Sequence, residues 1–442
     1  MEPQQLLVDL GIAGMLLLIG QLMRSRLRIF QRLFLPASVS GGCIGFALGP
    51  NGADFLPVSE TAAKYPGILI GLVFATLPFA SRYIGFRSIS ARITALWMYS
   101  SITILLQWAV GILFTTFFLQ MVWSELSPGF GALIAGGFVG GHGTAAALGS
   151  MFANLGWPEG ESLAMTSATV GILSSITGGL IWINWGSWAG HARFTTRFDQ
   201  LPRSLRTGLL NRADREVLGR SMLSSSSLDS MAFHIAIVSA AAASGYYLTT
   251  ATSYFFPEYN LPMFCAAYIT ASILFALMSV SGVSDYVDRQ TMGHLGGALT
   301  DVLIVFGIMS IKPAILVQYA GPLFLLFLAG LLLCGMTFRF LGPRFFEDYW
   351  FERALFTWGW VTGITALAIA LLRISDPHNE SNTLGDFGLA YLLIAPIEVG
   401  LVVVAPALLM SGQSGILAAG TLLAAVLLIG LGIHLRVGIR PR

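Results

Sequence analysis

Eleven long apolar stretches, separated by short polar segments, dominate the pattern of hydrophobic and polar positions along the chain. A helix that crosses a bilayer needs about 20 predominantly apolar residues, and most of these stretches approach or reach that length. The pattern therefore predicts an all-α polytopic membrane protein. The predicted spans are Gln5–Met23, Leu33–Pro50, Pro66–Ser81, Ile93–Gln120, Leu163–Gly186, Met231–Thr250, Leu261–Val280, Gly293–Ile311, Tyr319–Leu341, Gly388–Met410 and Ile416–His434.

Two further apolar stretches, Gly129–Asn154 and Ala354–Arg373, are rich in glycine and other small residues. Each glycine in a helix interior costs about 1 kcal/mol relative to alanine, so a plain spanning helix is a poor interpretation of either stretch. At membrane depth, irregular backbone persists only where protein buries it or water reaches it. We therefore predict that both stretches are re-entrant hairpins, which enter and leave on the same side.

The distribution of charge fixes a topology. The chain has 24 basic residues, of which only Lys64 and Lys312 are lysines. With the N-terminus outside and both hairpins re-entrant, every arginine falls on the inner side and both lysines fall outside, as the positive-inside rule requires. The C-terminus is then cytoplasmic.

Only 10% of the residues are charged, against about 25% in soluble proteins, so soluble classes are excluded, and no basic patch indicates nucleic-acid binding.

The pattern also predicts an internal repeat. Aligning Leu35 and Pro36 with Leu261 and Pro262 sets an offset of 226 residues, and six elements then fall in register. Each repeat holds five spans and one hairpin, and an odd number of spans inverts the second repeat, an arrangement typical of secondary transporters. The predicted organisation is an inverted 5+5 helix repeat plus one extra C-terminal helix. Its segments are repeat 1–186 with hairpin 129–154, linker 187–230, repeat 231–410 with hairpin 354–373, and helix and basic tail 411–442.

The first hairpin carries the densest candidate site, with glycines on both sides of a histidine and a threonine. An unwound turn at this depth exposes carbonyl groups to a cation and N–H groups to an anion. We predict that Gly140 contributes to a Na⁺ site and that the following residues bind substrate. The alternative is tight helix packing through small residues. The predicted substrate-binding residues here are Gly141, His142, Gly143 and Thr144.

The second hairpin supplies Thr362, Gly363 and Thr365 as substrate-binding candidates, through hydroxyl groups and unwound backbone. Arg373 follows Thr365 by eight residues, about 12 Å along a helix. A guanidinium group offers a fixed fork to a carboxylate, so Arg373 is a further candidate. The alternative is an interfacial arginine that follows the positive-inside rule or pairs with Asp376.

Two acids lie within predicted spans, and intramembrane carboxylates are functional candidates by default. Asp301 follows Thr300, and these two residues offer oxygen ligands to Na⁺. Glu398 follows Pro396, where a kink frees carbonyl groups. For both acids the alternative is a hydrogen-bonded pair with a neighbouring helix.

Three motifs carry a resemblance to a known family. The segment Val139–Met151 reads VGGHGTAAALGSM, Glu161–Gly179 runs from an acid through small residues to a pair of glycines, and Pro36–Gly42 has a Pro-x-x-Val-x-Gly-Gly pattern. These segments resemble the bacterial sodium:glutamate symporter family. The resemblance implies an inverted-repeat, Na⁺-coupled glutamate transporter of the bacterial inner membrane, dimeric, with an elevator motion. The family's Gly-His-Cys-Gly-Phe-Gly and Ala-Thr-Pro runs are absent from the second hairpin, and the extra span is a second departure.

The sequence therefore predicts a Na⁺-coupled symporter for glutamate or a related small anionic solute, with Na⁺ as coupling ion and no organic cofactor. The alternative is a cation/proton antiporter that uses an intramembrane carboxylate. An intramembrane enzyme built on His142 is disfavoured, because no nucleophile or metal set accompanies the histidine. A non-transporting sensor is disfavoured as well, since the chain carries no soluble output domain.

Overall fold

A computed structural model describes residues 3–80, 91–192, 203–212, 215, 217–224, 226–255, 261–377 and 380–435. These residues are helical or irregular, with no strand among them. Some predicted features lie outside the described residues. They are Ser81, parts of the linker, and Arg82, Arg87, Arg193, Arg197, Arg436, Arg440 and Arg442.

The helices are numbered in chain order. They are α1 (Pro3–Arg26), α2 (Arg28–Arg32), α3 (Ala37–Leu48), α4 (Tyr65–Ala80), α5 (Ala91–Phe114), α6 (Gln120–Val122), α7 (Leu133–Phe138), α8 (Gly141–Asn154), α9 (Glu159–Trp188), α10 (Arg203–Thr207), α11 (Ser230–Phe255), α12 (Met263–Val280), α13 (Arg289–Met309), α14 (Pro313–Gln318), α15 (Ala320–Met336), α16 (Gly342–Phe345), α17 (Trp350–Val361), α18 (Thr365–Ser375), α19 (Thr383–Met410) and α20 (Ser414–His434).

Ten helical segments within the described residues are long and apolar enough to cross a membrane. They are α1, α4, α5 through α6, α9, α11, α12, α13, α15 through α16, α19 and α20. Ten of the eleven predicted spans correspond to these segments, and the prediction of an all-helical multi-pass membrane protein is confirmed. The extra C-terminal helix is present as α20.

The predicted span Leu33–Pro50 is wrong in its length. Its helix, α3, has 12 residues, about 18 Å at 1.5 Å per residue, which is short of the hydrocarbon core. Phe34 has a positive φ of 47°, and Pro36 comes directly before the helix. At the other end Pro50 disfavours helical geometry at Gly49. Hydropathy counts these residues as apolar, but their backbone preferences interrupt the helix.

The chain forms two compact units. The first comprises residues 1–21, 37–83 and 210–310. Within it α13 packs along α3 and α4, and α12 packs against α4 and α11. Gly245 allows the close approach of α11 and α12, since a Cβ there would lie 2.5 Å from the Ala267 nitrogen. A buried cluster that includes Phe79, Val238 and Met292 forms part of its core.

The second unit comprises residues 22–36, 84–209 and 311–442. Helix α5 packs against α15, α19 and α20, while α9 packs against both predicted hairpins, α7–α8 and α17–α18. The helices α5 and α15 each continue into a π-helical turn, at Thr115–Leu119 and Thr337–Leu341. Turns of this kind are rare and concentrate at functional sites. The residues that the sequence places in the two hairpins all belong to this unit.

Candidate functional site

The first predicted hairpin contains a sharp break between α7 and α8. Val139 is extended, and Gly140 and Gly141 follow with φ angles of +73° and +62°. Residues with a Cβ rarely adopt this left-handed region, so the two glycines make the turn possible. The first N–H groups of α8 have no partner within the helix at such a break. The backbone is therefore unwound at Gly140 and Gly141, whereas Gly136 and Gly137 lie within α7.

Glu398 lies against this turn. Its side chain is buried at 7% exposure, and it comes from the middle of α19, two residues after Pro396. Thr144 Oγ1 donates to Glu398 Oε1 at 3.5 Å, and the Tyr391 hydroxyl donates to Oε2 at 3.3 Å. A Cβ on Gly140 would lie 2.6 Å from Oε1. Each carboxylate oxygen accepts two hydrogen bonds, so both oxygens retain acceptor capacity.

The two hairpin turns touch each other within the second unit. A Cβ on Gly141 would lie 2.5 Å from Ile364 Cγ2 and 3.6 Å from the Gly363 carbonyl oxygen. Gly363 and Ile364 connect α17 to α18, and Ile364 is extended. We call the residues that meet here the turn cluster, defined as Gly140, Gly141, Thr144, Gly363, Ile364 and Glu398. Candidates predicted from three separate stretches of sequence are therefore neighbours.

His142 follows the turn and is buried, with 1% of its surface exposed. Its Nε2 lies 3.1 Å from Thr169 Oγ1, and that hydroxyl donates its proton to the Met165 carbonyl oxygen at 2.9 Å. A threonine hydroxyl has one proton, so it accepts from His142, and we assign the proton to Nε2. In the neutral ring Nδ1 is then an acceptor, and it has no partner among the described residues.

The second hairpin is held against α9 through its backbone. Ser175 Oγ donates to the Gly359 carbonyl oxygen at 2.8 Å, and Trp358 Nε1 donates to the Ser175 carbonyl oxygen at 3.0 Å. Gly171 allows the Thr362 carbonyl oxygen to approach α9, since a Cβ there would lie 2.7 Å from that oxygen. These contacts position the end of α17 without using the carbonyl groups of the turn itself.

The hydroxyl of Thr362 is not directed to a ligand in this structure. It is fully buried and donates to the Trp358 carbonyl oxygen at 2.6 Å within its own helix. Thr365 is half-buried at the first turn of α18, and Gly143 is half-buried in the first turn of α8. Gly363 lies near the first hairpin, since its carbonyl oxygen would be 3.6 Å from a Cβ on Gly141.

Three predicted residues are not members of the turn cluster. Arg373 is exposed in the last turn of α18, eight residues beyond Thr365. Asp376 does not pair with it, because the Asp376 carboxylate accepts from the backbone N–H groups of residues 380 and 381 at 2.8 Å each. Thr300 and Asp301 belong to the first compact unit, where Asp301 is exposed and Thr300 donates to the carbonyl oxygen of its own helix at 2.8 Å.

A buried ion pair behind the second hairpin was not predicted from the sequence. Arg353 Nη2 donates to Asp386 Oδ2 and to the Ser381 carbonyl oxygen, both at 3.0 Å, and Arg353 is 2% exposed. The pair joins α17 to the first turn of α19, the helix that carries Glu398. The positive-inside rule treats Arg353 as a loop residue. The sequence signal that could have indicated the pair was the acid Asp386, which precedes the predicted span and lies in the first turn of the observed helix.

We expect Asp386→Asn to destabilise the protein by about 3–5 kcal/mol, because it leaves a buried guanidinium group without a counter-charge. The measurement is the melting temperature of the purified protein in detergent. Arg92→Gln is the matched control, since Arg92 Nε lies 3.7 Å from the same carboxylate but its side chain is 58% exposed. An exposed pair contributes at most about 1 kcal/mol. Equal effects of the two substitutions would contradict the structural role of the buried pair.

Asp9 is another buried acid for which no role was predicted from the sequence. It lies in α1 and is fully buried. Its carboxylate accepts from the Ser59 N–H group at 2.9 Å and from the Tyr65 hydroxyl at 2.8 Å, besides the Ser59 hydroxyl. These donors join α1 to the start of α4 within the first unit. These hydrogen bonds therefore explain the burial of the Asp9 carboxylate. Glu398, which has two long hydrogen bonds, lacks such an explanation for its burial.

The chemistry of the turn cluster is that of oxygen ligands. It offers the Glu398 carboxylate, the Thr144 hydroxyl group and backbone carbonyl groups such as that of Gly363, which suit hard cations. The Ile364 carbonyl oxygen already accepts from the N–H groups of Leu367 and Ala368. Among the described residues no group of three or more His, Cys, Asp or Glu side chains is arranged to hold a metal ion.

Comparison with known proteins gives one finding. Residues 5–349 match the sodium/glutamate symporter family. The matched region includes the first hairpin and ends directly before α17, so the second hairpin lies beyond it. No curated protein and no solved structure matches the chain significantly.

Proposed function

Because this chain belongs to the sodium/glutamate symporter family, we propose that the turn cluster is its transport site. Membership of the family implies a multi-pass membrane transporter with Na⁺ as the coupling ion. The contact of both hairpin turns beside the buried Glu398 carboxylate is the observation that carries the proposal. The cargo we propose is glutamate or a related small anionic solute.

For Na⁺ we propose a site at Glu398, with Thr144 and the carbonyl group of Gly140 as further ligands. The carboxylate keeps unused acceptor capacity, and a charged group buried in a membrane helix carries a free-energy cost that a bound cation offsets. Thr144 is already within 3.5 Å of Glu398 Oε1, so a small rotation would point both oxygens at one ion. Thr300 and Asp301, in the first unit, remain the alternative Na⁺ ligands predicted from the sequence.

For the solute we propose that the first N–H groups of α8 bind a carboxylate, since a helix start presents free donors and a partial positive charge. His142 Nδ1, an acceptor without a partner, suits an ammonium group or another donor of the solute. Thr362, Gly363 and Thr365 would complete the site from the second hairpin. A contact between Arg373 and the substrate carboxylate stays a prediction from the sequence.

We further propose that the two halves are inverted repeats. Each half has three helices in the first unit, followed by a long helix, a hairpin and another long helix in the second unit. The π turns of α5 and α15 begin 222 residues apart, close to the 226-residue offset. This order supports an elevator mechanism in which the hairpin-bearing unit moves. The same proposal includes a homodimer in the bacterial inner membrane, with the N-terminus outside and the C-terminus in the cytoplasm.

The test is uptake of labelled glutamate by proteoliposomes that contain the purified protein. We expect accumulation under an inward Na⁺ gradient, its loss when a Na⁺ ionophore collapses the gradient, and none under a proton gradient alone. Protein-free liposomes are the control. Exchange of a cation for protons, without glutamate uptake, would favour the antiporter instead. Absence of Na⁺-dependent uptake of any acidic amino acid or dicarboxylate would refute the proposal.

A further inference from the structure

A cavity of about 510 Å³ opens on the first unit where α12 ends and α13 begins. One wall is a stripe along α12 that runs from Ser272 through Phe275 to Ser279. Phe79 from α4 closes the inner side, and the connection between the two helices forms the other wall. The lining residues are Phe79, Ser272, Phe275, Ala276, Ser279, Val280, Ser284, Asp285, Val287 and Arg289.

The α12 wall of the cavity carries the apolar side chains of Phe275, Ala276 and Val280 between two serines. Phe79 and Phe275 pack edge to face, with their centroids 5.5 Å apart. Val280 is 91% exposed, and Ile273 and Leu277 on the same helix are also exposed. Because α12 is long and apolar enough to span the membrane, we infer that its exposed aliphatic side chains face the lipid. An occupant therefore needs an apolar portion that continues into the lipid phase.

The other part of the cavity is polar and carries both signs of charge. Asp285 and Arg289 are exposed, and neither forms an ion pair among the described residues. Ser279 and Ser284 add two hydroxyl groups beside them. A purely anionic head group would bring like charge to Asp285, and a purely cationic one would bring like charge to Arg289. The lining is therefore complementary to a head group that contains both a phosphate and an ammonium group.

We propose that this cavity binds an aminophospholipid, with the lipid phosphate on Arg289, the primary ammonium on Asp285 and an acyl chain along Phe275 and Val280. Arginine is well suited to phosphate. A primary ammonium donates hydrogen bonds to a carboxylate, whereas the trimethylammonium of a choline lipid has no N–H group. Pockets of this size between helices are typical of ligand sites, and basic pockets between membrane helices bind lipid head groups. The site is independent of the turn cluster.

The test uses the full-length protein in detergent, supplied separately with phosphatidylethanolamine, phosphatidylcholine and phosphatidylglycerol, and measures bound lipid by native mass spectrometry. We expect phosphatidylethanolamine to bind best. Arg289→Gln should weaken its binding about tenfold, the effect of losing one charge-assisted hydrogen bond. Asp285→Asn should abolish the preference for phosphatidylethanolamine over phosphatidylglycerol. Arg344→Gln, at an exposed arginine of the other unit, is the control and should change nothing.

Three outcomes would overturn the proposal. One is equal binding of the three lipids by the unsubstituted protein, and another is unchanged binding in both Arg289→Gln and Asp285→Asn. The third is tight binding of soluble glycerophosphoethanolamine with no gain from the acyl chains, which would mean a site for the free head group. The melting temperature without added lipid verifies that each variant is folded.

Discussion

Gly140→Ala is expected to abolish Na⁺-driven uptake. A Cβ at this position would overlap Thr144 Oγ1 and lie 2.6 Å from Glu398 Oε1, so it would enter the proposed ion site. The backbone adds a second penalty, because φ is +73° and a left-handed conformation costs an L-residue roughly 1–2 kcal/mol. The turn has to open or rotate to accept the methyl group, and either change displaces the carbonyl groups that we propose as Na⁺ ligands.

The matched control is Gly400→Ala on α19, two residues from Glu398. A Cβ there meets nothing within 4 Å, and alanine favours the helix. Both variants are compared for uptake rate and for melting temperature in detergent. We expect Gly400→Ala to retain uptake and Gly140→Ala to lose it while remaining folded enough to purify. Normal Na⁺-dependent uptake by Gly140→Ala would exclude this turn from the site.

The sequence predicts those features of this protein that depend on residues close together along the chain. Hydropathy located ten spans because burial in lipid needs only a run of apolar residues. The same criterion failed at Leu33–Pro50, where Pro36 and Pro50 limit the helix to α3. The break at Gly140 was predicted from glycine density, which is likewise a local property.

Contacts between distant parts of the chain were beyond the sequence. Thr144 and Glu398 are 254 residues apart, and both were candidates, but nothing in their own surroundings pairs them. The pairing of Arg353 with Asp386 was missed because the positive-inside rule assigns arginines to loops and says nothing about their partners. Arg373 and Asp301 were chosen by residue type and depth, and their exposure depends on neighbours that only the fold specifies.

Glu398→Gln is expected to reduce Na⁺-driven uptake at least tenfold and to remove its dependence on Na⁺ concentration. Glutamine has nearly the same shape and keeps an acceptor for the Tyr391 or Thr144 hydroxyl, so packing changes little. What it removes is the negative charge. A unit charge 4 Å from an ion contributes about 4 kcal/mol at an effective dielectric constant of 20, and even a third of that value is a tenfold change in affinity.

Two further variants test which oxygen groups bind Na⁺. Thr144→Val keeps the shape of the side chain and removes its hydroxyl, so we expect weaker Na⁺ affinity with the Na⁺ dependence retained. Asp301→Asn removes the other predicted intramembrane acid, in the first unit, and we expect near-normal uptake. The measurements are the Na⁺ concentration at half-maximal uptake and the stabilisation of each protein by Na⁺ in detergent. If Asp301→Asn lost Na⁺ dependence while Glu398→Gln kept it, the ion would bind in the first unit, because a carboxylate that leaves Na⁺ coupling intact when neutralised cannot be its ligand.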